Sequence, residues 1–71
     1  MVKNINTWTI KDTVSASDIY YGYAKIGTAT NKPLWHIIRE VTTGSITKRM
    51  CPDGSTESKF IWDNRTAYTY K

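Results

Sequence analysis

The stretch that decides the fold is Leu34-Trp35-His36-Ile37-Ile38-Arg39-Glu40-Val41. Its large apolar side chains alternate, so that Trp35, Ile37 and Val41 share one face with Arg39. A period of two residues is typical of a β-strand, because successive side chains point to opposite faces of a sheet. We therefore predict a strand over residues 34–41.

A second alternating run precedes it, Ile19-Tyr20-Tyr21-Gly22-Tyr23-Ala24-Lys25-Ile26. Both of its faces carry aromatic or aliphatic side chains, which predicts a central strand or one held between subunits. Gly22 stands among aromatic residues, and a glycine inside a strand indicates a bend or the close approach of another ring or backbone.

The rest of the chain indicates further short strands separated by turn residues. Three Trp, five Tyr and one Phe in 71 residues, together with abundant Thr, favour pleated strands over helices. Cys51-Pro52-Asp53-Gly54-Ser55 predicts a tight turn. The sequence therefore predicts an all-β fold, a small antiparallel sandwich or partly open barrel of five or six short strands. The other predicted strands are Thr7–Lys11, Ile46–Met50, Lys59–Trp62 and Thr66–Tyr70, with a turn at 63–65.

A hairpin is predicted between residues 34–41 and 46–50. A four-residue loop at 42–45 would pair Val41 with Ile46 and Ile37 with Met50, which places apolar side chains opposite each other.

This register has an electrostatic consequence. It places Arg39 directly opposite Lys48, and like charges that face each other across a ladder are destabilising. An acidic group is expected to relieve them: Asp63, Glu57 or a carboxylate of a neighbouring chain.

The length allows one domain, residues 1–71, and residues 1–18 are predicted to form either an edge strand or an N-terminal arm. A domain of this size buries only about 60% of the surface of its unfolded chain, so small scaffolds add disulfides, a metal or oligomerisation. Cys51 has no partner for a disulfide within the chain, and with His36 it falls short of a four-ligand zinc site. We expect an aromatic core together with a homo-oligomer or many copies on a particle.

Catalytic patterns are missing from the sequence. A nucleophile held by a base, or two carboxylates in different environments, would be needed, whereas His36 is predicted mid-strand and Cys51 at a strand end. We expect no enzyme activity and no cofactor.

The net charge of +4 comes from dispersed Lys and Arg rather than from a basic tail. Tyr20, Tyr21 and Tyr23 with Lys25 leave single-stranded nucleic-acid binding open as an alternative, since aromatic platforms on a cationic surface bind bases. A carbohydrate-binding fibre tip is a third hypothesis, which rests on aromatic residues alone.

No secretory or membrane segment is predicted. Residues 1–6 lack the apolar region of a signal peptide, and no run approaches 18 apolar residues. We expect synthesis in the cytoplasm and no membrane partner.

Five motifs in this order resemble a group of small, mostly uncharacterised proteins of tailed bacteriophages. The motifs are Ile19–Thr30, Trp35–Arg39, Asp53-Gly54, Phe60–Arg65 and Tyr68–Tyr70, so the resemblance spans residues 19–71. It implies a virion structural protein made in the host cytoplasm, a capsid-decoration subunit or an accessory tail or fibre subunit whose partners are phage structural proteins.

The predicted roles of individual residues divide into two sets. The candidate assembly interface comprises Tyr20, Tyr21, Tyr23, Tyr68, Tyr70, Arg39 and Lys48. The candidate structural anchors are Trp8, Trp35, Ile37, Trp62, Asp63 and Arg65, with Asp63 and Arg65 expected to form a local ion pair at the closing turn.

Overall fold

The computed structural model describes residues 7–71. It is mostly antiparallel β-sheet, with five strands and one short 3₁₀ helix, and the sheet does not close into a barrel. The all-β prediction is confirmed, while residues 1–6 of the predicted arm or edge strand lie outside the described residues. The elements are β1 (Thr7–Ser15), β2 (Asp18–Lys25), β3 (Pro33–Thr43), β4 (Ile46–Met50), β5 (Phe60–Ile61) and a 3₁₀ helix (Trp62–Ala67).

The main sheet has the strand order β1-β2-β3-β4, and every pairing is antiparallel. β5 pairs with the beginning of β3, and the 3₁₀ helix follows it directly. β5 and the helix pack over one face of the sheet, which we call the covered face. We call the opposite face of β1–β4 the open face.

The hydrophobic core lies between the covered face of the sheet and the segment formed by β5 and the 3₁₀ helix. It consists of the buried side chains Tyr20, Ala24, Trp35, Ile37, Phe60 and Trp62. The Trp35 and Trp62 rings lie 6.1 Å apart between centroids. Gly22 lies directly under Trp62, since a Cβ atom at that position would come within 2.5 Å of the Trp62 ring. The close approach that the sequence indicated at Gly22 is therefore confirmed.

The C-terminal segment differs from the prediction of a turn at 63–65 and a strand over Thr66–Tyr70. Residues 62–67 form a 3₁₀ helix, and the main chain returns to sheet-like pairing only in the bridge between Pro52 and Tyr70. The Tyr68 hydroxyl accepts a hydrogen bond from the Ile61 N–H at 2.9 Å. The prediction was wrong for Thr66 and Ala67, which belong to the helix, whereas residues 69–71 make main-chain hydrogen bonds with residues 51–53.

The predicted register of the β3–β4 hairpin is also wrong, by two residues. Thr43 pairs with Ile46 and Arg39 with Met50, so the loop contains only Gly44 and Ser45. Gly44 has φ of 62° in the first loop position, as a two-residue type II′ turn requires.

Two polar contacts support this register in place of the apolar pairs that the sequence suggested. The Thr42 and Thr47 hydroxyls lie 2.9 Å apart, and Arg49 donates to Glu40 across the strands. Lys48 therefore lies opposite Val41 rather than opposite Arg39. The predicted repulsion does not arise.

β1 extends to Ser15, four residues beyond the predicted strand. It is an edge strand, and Trp8 is 47% exposed there. Trp8, one of the predicted structural anchors, therefore lies outside the buried core, because an edge strand has a neighbour on only one side to bury a ring of that size.

Candidate assembly site on the open face of the sheet

The open face is built by alternation along four paired strands. Its side chains follow from the strand register: Thr9, Lys11 and Thr13 of β1, Ile19, Tyr21, Tyr23 and Lys25 of β2, His36, Ile38, Glu40 and Thr42 of β3, and Thr47 and Arg49 of β4. No described element packs against these side chains, and the large ones in the middle are only half-buried. The face is therefore a sheet surface with partly exposed aromatic and aliphatic groups.

Tyr21 and Tyr23 form the centre of the open face. Tyr21 lies between Lys11 and Ile38 in the ladder, and Tyr23 lies beside His36. The Tyr23 and His36 rings are stacked, with centroids 5.7 Å apart and planes 27° apart. The His36 Nδ1 atom is buried and has no hydrogen-bond partner among residues 7–71. The Tyr23–His36 stack therefore joins the two central strands on this face.

Cations surround this aromatic centre. The Lys11 ammonium lies 5.9 Å from the centroid of the Tyr21 ring, within the range of a cation–π interaction. Arg49 donates a hydrogen bond to Glu40 at 2.9 Å, and this bond raises the pKa of the guanidinium. Lys25 lies exposed at the end of β2. Among residues 7–71, the open face therefore has three cations and one carboxylate, that of Glu40.

The other predicted interface tyrosines lie on the covered side. Tyr20 is only 5% exposed and packs against Tyr70, with ring centroids 5.7 Å apart. The Tyr70 hydroxyl donates to the Arg65 carbonyl at 2.7 Å, and burial raises the pKa of the Tyr70 hydroxyl. Tyr68 packs edge-on against Phe60. These three tyrosines fasten the C-terminal segment to the sheet, so they are not part of the open face.

Arg39 lies beside these rings. It donates two hydrogen bonds of 2.9 Å to the two carboxylate oxygens of Asp18, and its guanidinium carbon lies within 6 Å of the Tyr20 and Tyr70 ring centroids. The acidic partner of Arg39 is therefore Asp18, not Asp63 or Glu57. The hydrogen bond from Arg39 lowers the pKa of Asp18.

Lys48 lines a separate shallow groove near the tip of the β3–β4 hairpin. The groove has a volume of about 430 Å³, and its other lining residues are Val41, Thr43, Ile46 and Met50. It lies on the same side as the core but beyond the part that β5 and the 3₁₀ helix cover. The predicted interface residues are thus divided among the open face, the covered side and this groove.

The structure places the predicted structural anchors in different environments. Trp35, Ile37 and Trp62 lie in the core. The expected ion pair between Asp63 and Arg65 is wrong, because Arg65 binds Asp12 of β1 and the Asp63 N–H donates to the Thr30 carbonyl.

Of the residues on the open face, the predicted interface contained Tyr21 and Tyr23, and it lacked Lys11, Ile38 and Arg49 among others. The alternation of β3 had already placed Ile38 on one face with His36, and the same alternation applied to Lys11. What was lacking was the pairing of β2 with β3, which sets Tyr21 opposite Ile38.

No group of three or more His, Cys, Asp or Glu side chains that could hold a metal ion occurs within residues 7–71. In the same part of the chain, no helix is long and apolar enough to cross a membrane.

The chain matched no protein-family model, no curated protein and no solved structure.

Proposed function

We propose that the chain is a structural subunit of a bacteriophage virion that acts through protein–protein contacts, either as a capsid-decoration protein or as an accessory tail or fibre subunit. The observation that carries the assembly role is the open face, where Tyr21, Tyr23 and Ile38 lie side by side on the sheet and are only partly buried. The resemblance of residues 19–71 to small phage proteins supports the virion as the setting.

The arrangement of the open face fits a protein interface. Interfaces have an apolar centre rich in Tyr and a polar rim, with Lys and Glu depleted from the centre. Here the two central strands supply Tyr21, Tyr23 and Ile38, while the edge strands supply Lys11 and Arg49. Tyr21 and Tyr23 are already partly buried in the single chain, so a partner removes from solvent only the remaining exposed part of each ring.

The first experiment asks whether the protein belongs to the particle. Quantitative mass spectrometry of purified virions of the encoding phage should find the chain at a fixed ratio to the major capsid protein. Complete absence from purified virions would refute the virion role.

A second experiment asks whether the open face makes the contact. The double variant Tyr21→Ser with Tyr23→Ser should not be incorporated when it is supplied in trans to a phage that lacks the gene. Val14→Ser is the matched control, because Val14 is an exposed apolar residue of β1 outside the open face. Incorporation of the double variant at the wild-type level would show that another surface makes the contact.

Single-stranded nucleic-acid binding is the second candidate, and the cations of the open face favour it. Tyr21, Tyr23 and His36 offer stacking platforms, with Lys11 and Lys25 at the same face. The pairing of Arg49 with Glu40 weakens the case, because it neutralises one of three cations. Fluorescence anisotropy with labelled single-stranded DNA should then show affinity that falls steeply between low and physiological salt. Absence of binding at low salt would exclude this function.

A further inference from the structure

Within residues 7–71, no strand pairs with the outer side of β1 at Thr9, Lys11 and Thr13. The Thr42 N–H donates to the Ser17 carbonyl at 2.9 Å, in the register of the β2–β3 ladder. Odd-numbered residues of β2 therefore direct their main-chain groups to β3, and even-numbered residues direct theirs to β1. The same alternation applies to β1. Its even-numbered residues direct their main-chain N–H and C=O groups to β2, and its odd-numbered residues direct theirs outward, namely Thr9, Lys11 and Thr13.

The two edges of the sheet differ in how well they are protected. β4 has only five residues, and two of them are the adjacent cations Lys48 and Arg49. Directly after β4, Cys51 and Lys71 exchange two main-chain hydrogen bonds of 3.1 and 3.0 Å, so the C-terminal segment pairs with the chain next to this short strand. β1 has nine residues, no proline and one lysine, and no described strand pairs with its outer side. Long, uncovered edges of this kind are templates for another strand.

We propose that β1 pairs antiparallel with β1 of a second copy, across a two-fold axis perpendicular to the sheet. Such an axis keeps the open faces of both copies on the same side of the joined sheet. Odd-numbered residues of β1 therefore lie opposite odd-numbered residues of the second copy, and even-numbered residues lie opposite even-numbered ones. The regular part of β1 ends at the register shift after Thr13, so its middle is Ile10, and the next register is centred on Lys11. The Lys11 register sets two lysines face to face, which is destabilising, whereas the Ile10 register sets Ile10 against Ile10 of the second copy.

The Ile10 register also accounts for the exposure of Trp8. In this register Thr9 faces Lys11 of the second copy, and these residues use the outward main-chain groups of both strands. Trp8 then lies diagonal to Ile10 of the second copy, a position that an aromatic side chain reaches across an antiparallel pair. The contact covers a tryptophan that is 47% exposed in the single chain. The product is one continuous eight-stranded main sheet with a doubled open face.

The chemistry of the edge favours a second copy as the occupant. Ile10 packs partly against the core on the covered face, so an identical strand brings another apolar residue to the place where the sheet ends. The pairing is self-complementary and closes after two copies, because each β1 edge is used once. This inference concerns the edge and does not depend on what the open face binds.

The first test measures the oligomeric state of the full chain by sedimentation velocity from micromolar to millimolar concentration. The wild-type chain should dimerise and Thr9→Pro should remain monomeric, because proline removes an outward N–H and is tolerated at strand edges where that group faces solvent. Thr9→Val keeps the N–H and should dimerise like the wild type. Thermal melting of Thr9→Pro checks that it is folded. A wild-type chain that is monomeric throughout, or a folded Thr9→Pro variant that dimerises normally, would overturn the proposal.

The second test determines the register by cross-linking in a Cys51→Ser background. Ile10→Cys should form a disulfide-linked dimer under mild oxidation, and Lys11→Cys should do so much more slowly. Cross-linking of Lys11→Cys without Ile10→Cys would overturn the proposed register. The double variant Tyr21→Ser with Tyr23→Ser should still dimerise; its conversion to a monomer would show that the open face, not the edge, joins the copies.

Discussion

Arg65 of the 3₁₀ helix donates two hydrogen bonds to the same carboxylate oxygen of Asp12 in β1, from Nε at 3.0 Å and from Nη2 at 2.9 Å. The same guanidinium lies 4.6 Å from the Trp62 ring centroid, and its Nη1 donates to the Trp62 carbonyl at 3.1 Å. Two residues 53 positions apart in sequence therefore fasten the C-terminal segment to the edge of the sheet. Both side chains are partly buried, so this ion pair is better shielded than an ordinary surface pair.

Replacement of Asp12 by Asn should lower the free energy of unfolding by about 1–2 kcal/mol, because hydrogen bonds to charged groups contribute more than neutral ones and this pair is still partly exposed. Urea denaturation provides the measurement. Glu40→Gln is the matched control, since its partner Arg49 is 68% exposed and little stability should be lost. Equal losses in the two variants would contradict the structural role of Asp12.

Gly22→Ala should destabilise the fold by about 1–3 kcal/mol, the usual cost of overpacking a core. The new Cβ would come within 2.5 Å of Trp62 Cε3 and 2.8 Å of Ile10 Cγ2, so the helix or β1 must move. Denaturation midpoints measure the loss.

A double-mutant cycle identifies the clash at Gly22. Trp62→Leu removes the ring that the new methyl group meets, so adding Gly22→Ala to it should cost less than adding Gly22→Ala to the wild type. If Gly22→Ala costs the same free energy of unfolding in both backgrounds, the clash is not with the Trp62 ring.

Stability should fall in acid through Asp18. The hydrogen bond from Arg39 lowers the pKa of Asp18 in the folded chain below its value in the unfolded chain. The stabilisation is therefore complete above the unfolded pKa and is lost as the pH falls through the folded pKa, in the range below about pH 4. Thermal melting of the wild type and of Asp18→Asn between neutral pH and pH 2 should show a shallower acid decline in the variant. Parallel declines would exclude Asp18 as the group responsible.

Tyr68→Phe should lower the free energy of unfolding by about 1–2 kcal/mol, because the Ile61 N–H loses its acceptor in a partly buried place. The edge-on contact with Phe60 is kept, so the hydroxyl alone is tested. Tyr23→Phe on the open face serves as the control and should stay within about 0.5 kcal/mol of the wild type. Calorimetric melts that show the same loss for both would contradict this assignment.

The sequence predicted the positions of β2 and β3 to within a few residues because their alternation is strong and uninterrupted. It did not predict the 3₁₀ helix at residues 62–67, because the spacing of Thr66, Tyr68 and Tyr70 also satisfies a period of two. The helix forms where Trp62 must lie over Gly22 while the Asp63 N–H reaches the Thr30 carbonyl, and both contacts join segments distant in sequence.

In the β3–β4 hairpin too, the sequence pattern predicts the direction of the side chains but not the register of the two strands. Alternation assigns each side chain of β3 and β4 to one face of the sheet. A shift of two residues in the pairing of the strands leaves these assignments unchanged. The register itself depends on whether the loop has two or four residues and on the contacts of Glu40 with Arg49 and of Thr42 with Thr47. Apolar matching alone selected the wrong pairs.

The sequence by itself determined that residues 34–41 form a strand with Trp35 and Ile37 on one face, and it indicated either a bend or a close approach at Gly22. Those conclusions rest on side-chain direction, which alternates residue by residue and is a local property of the backbone. Only the tertiary structure decided that Tyr21 and Tyr23 lie on an open face while Tyr68 and Tyr70 fasten the chain end. The reason is that strand register and the docking of the C-terminal segment are fixed by contacts between residues far apart in sequence, which alternation does not encode.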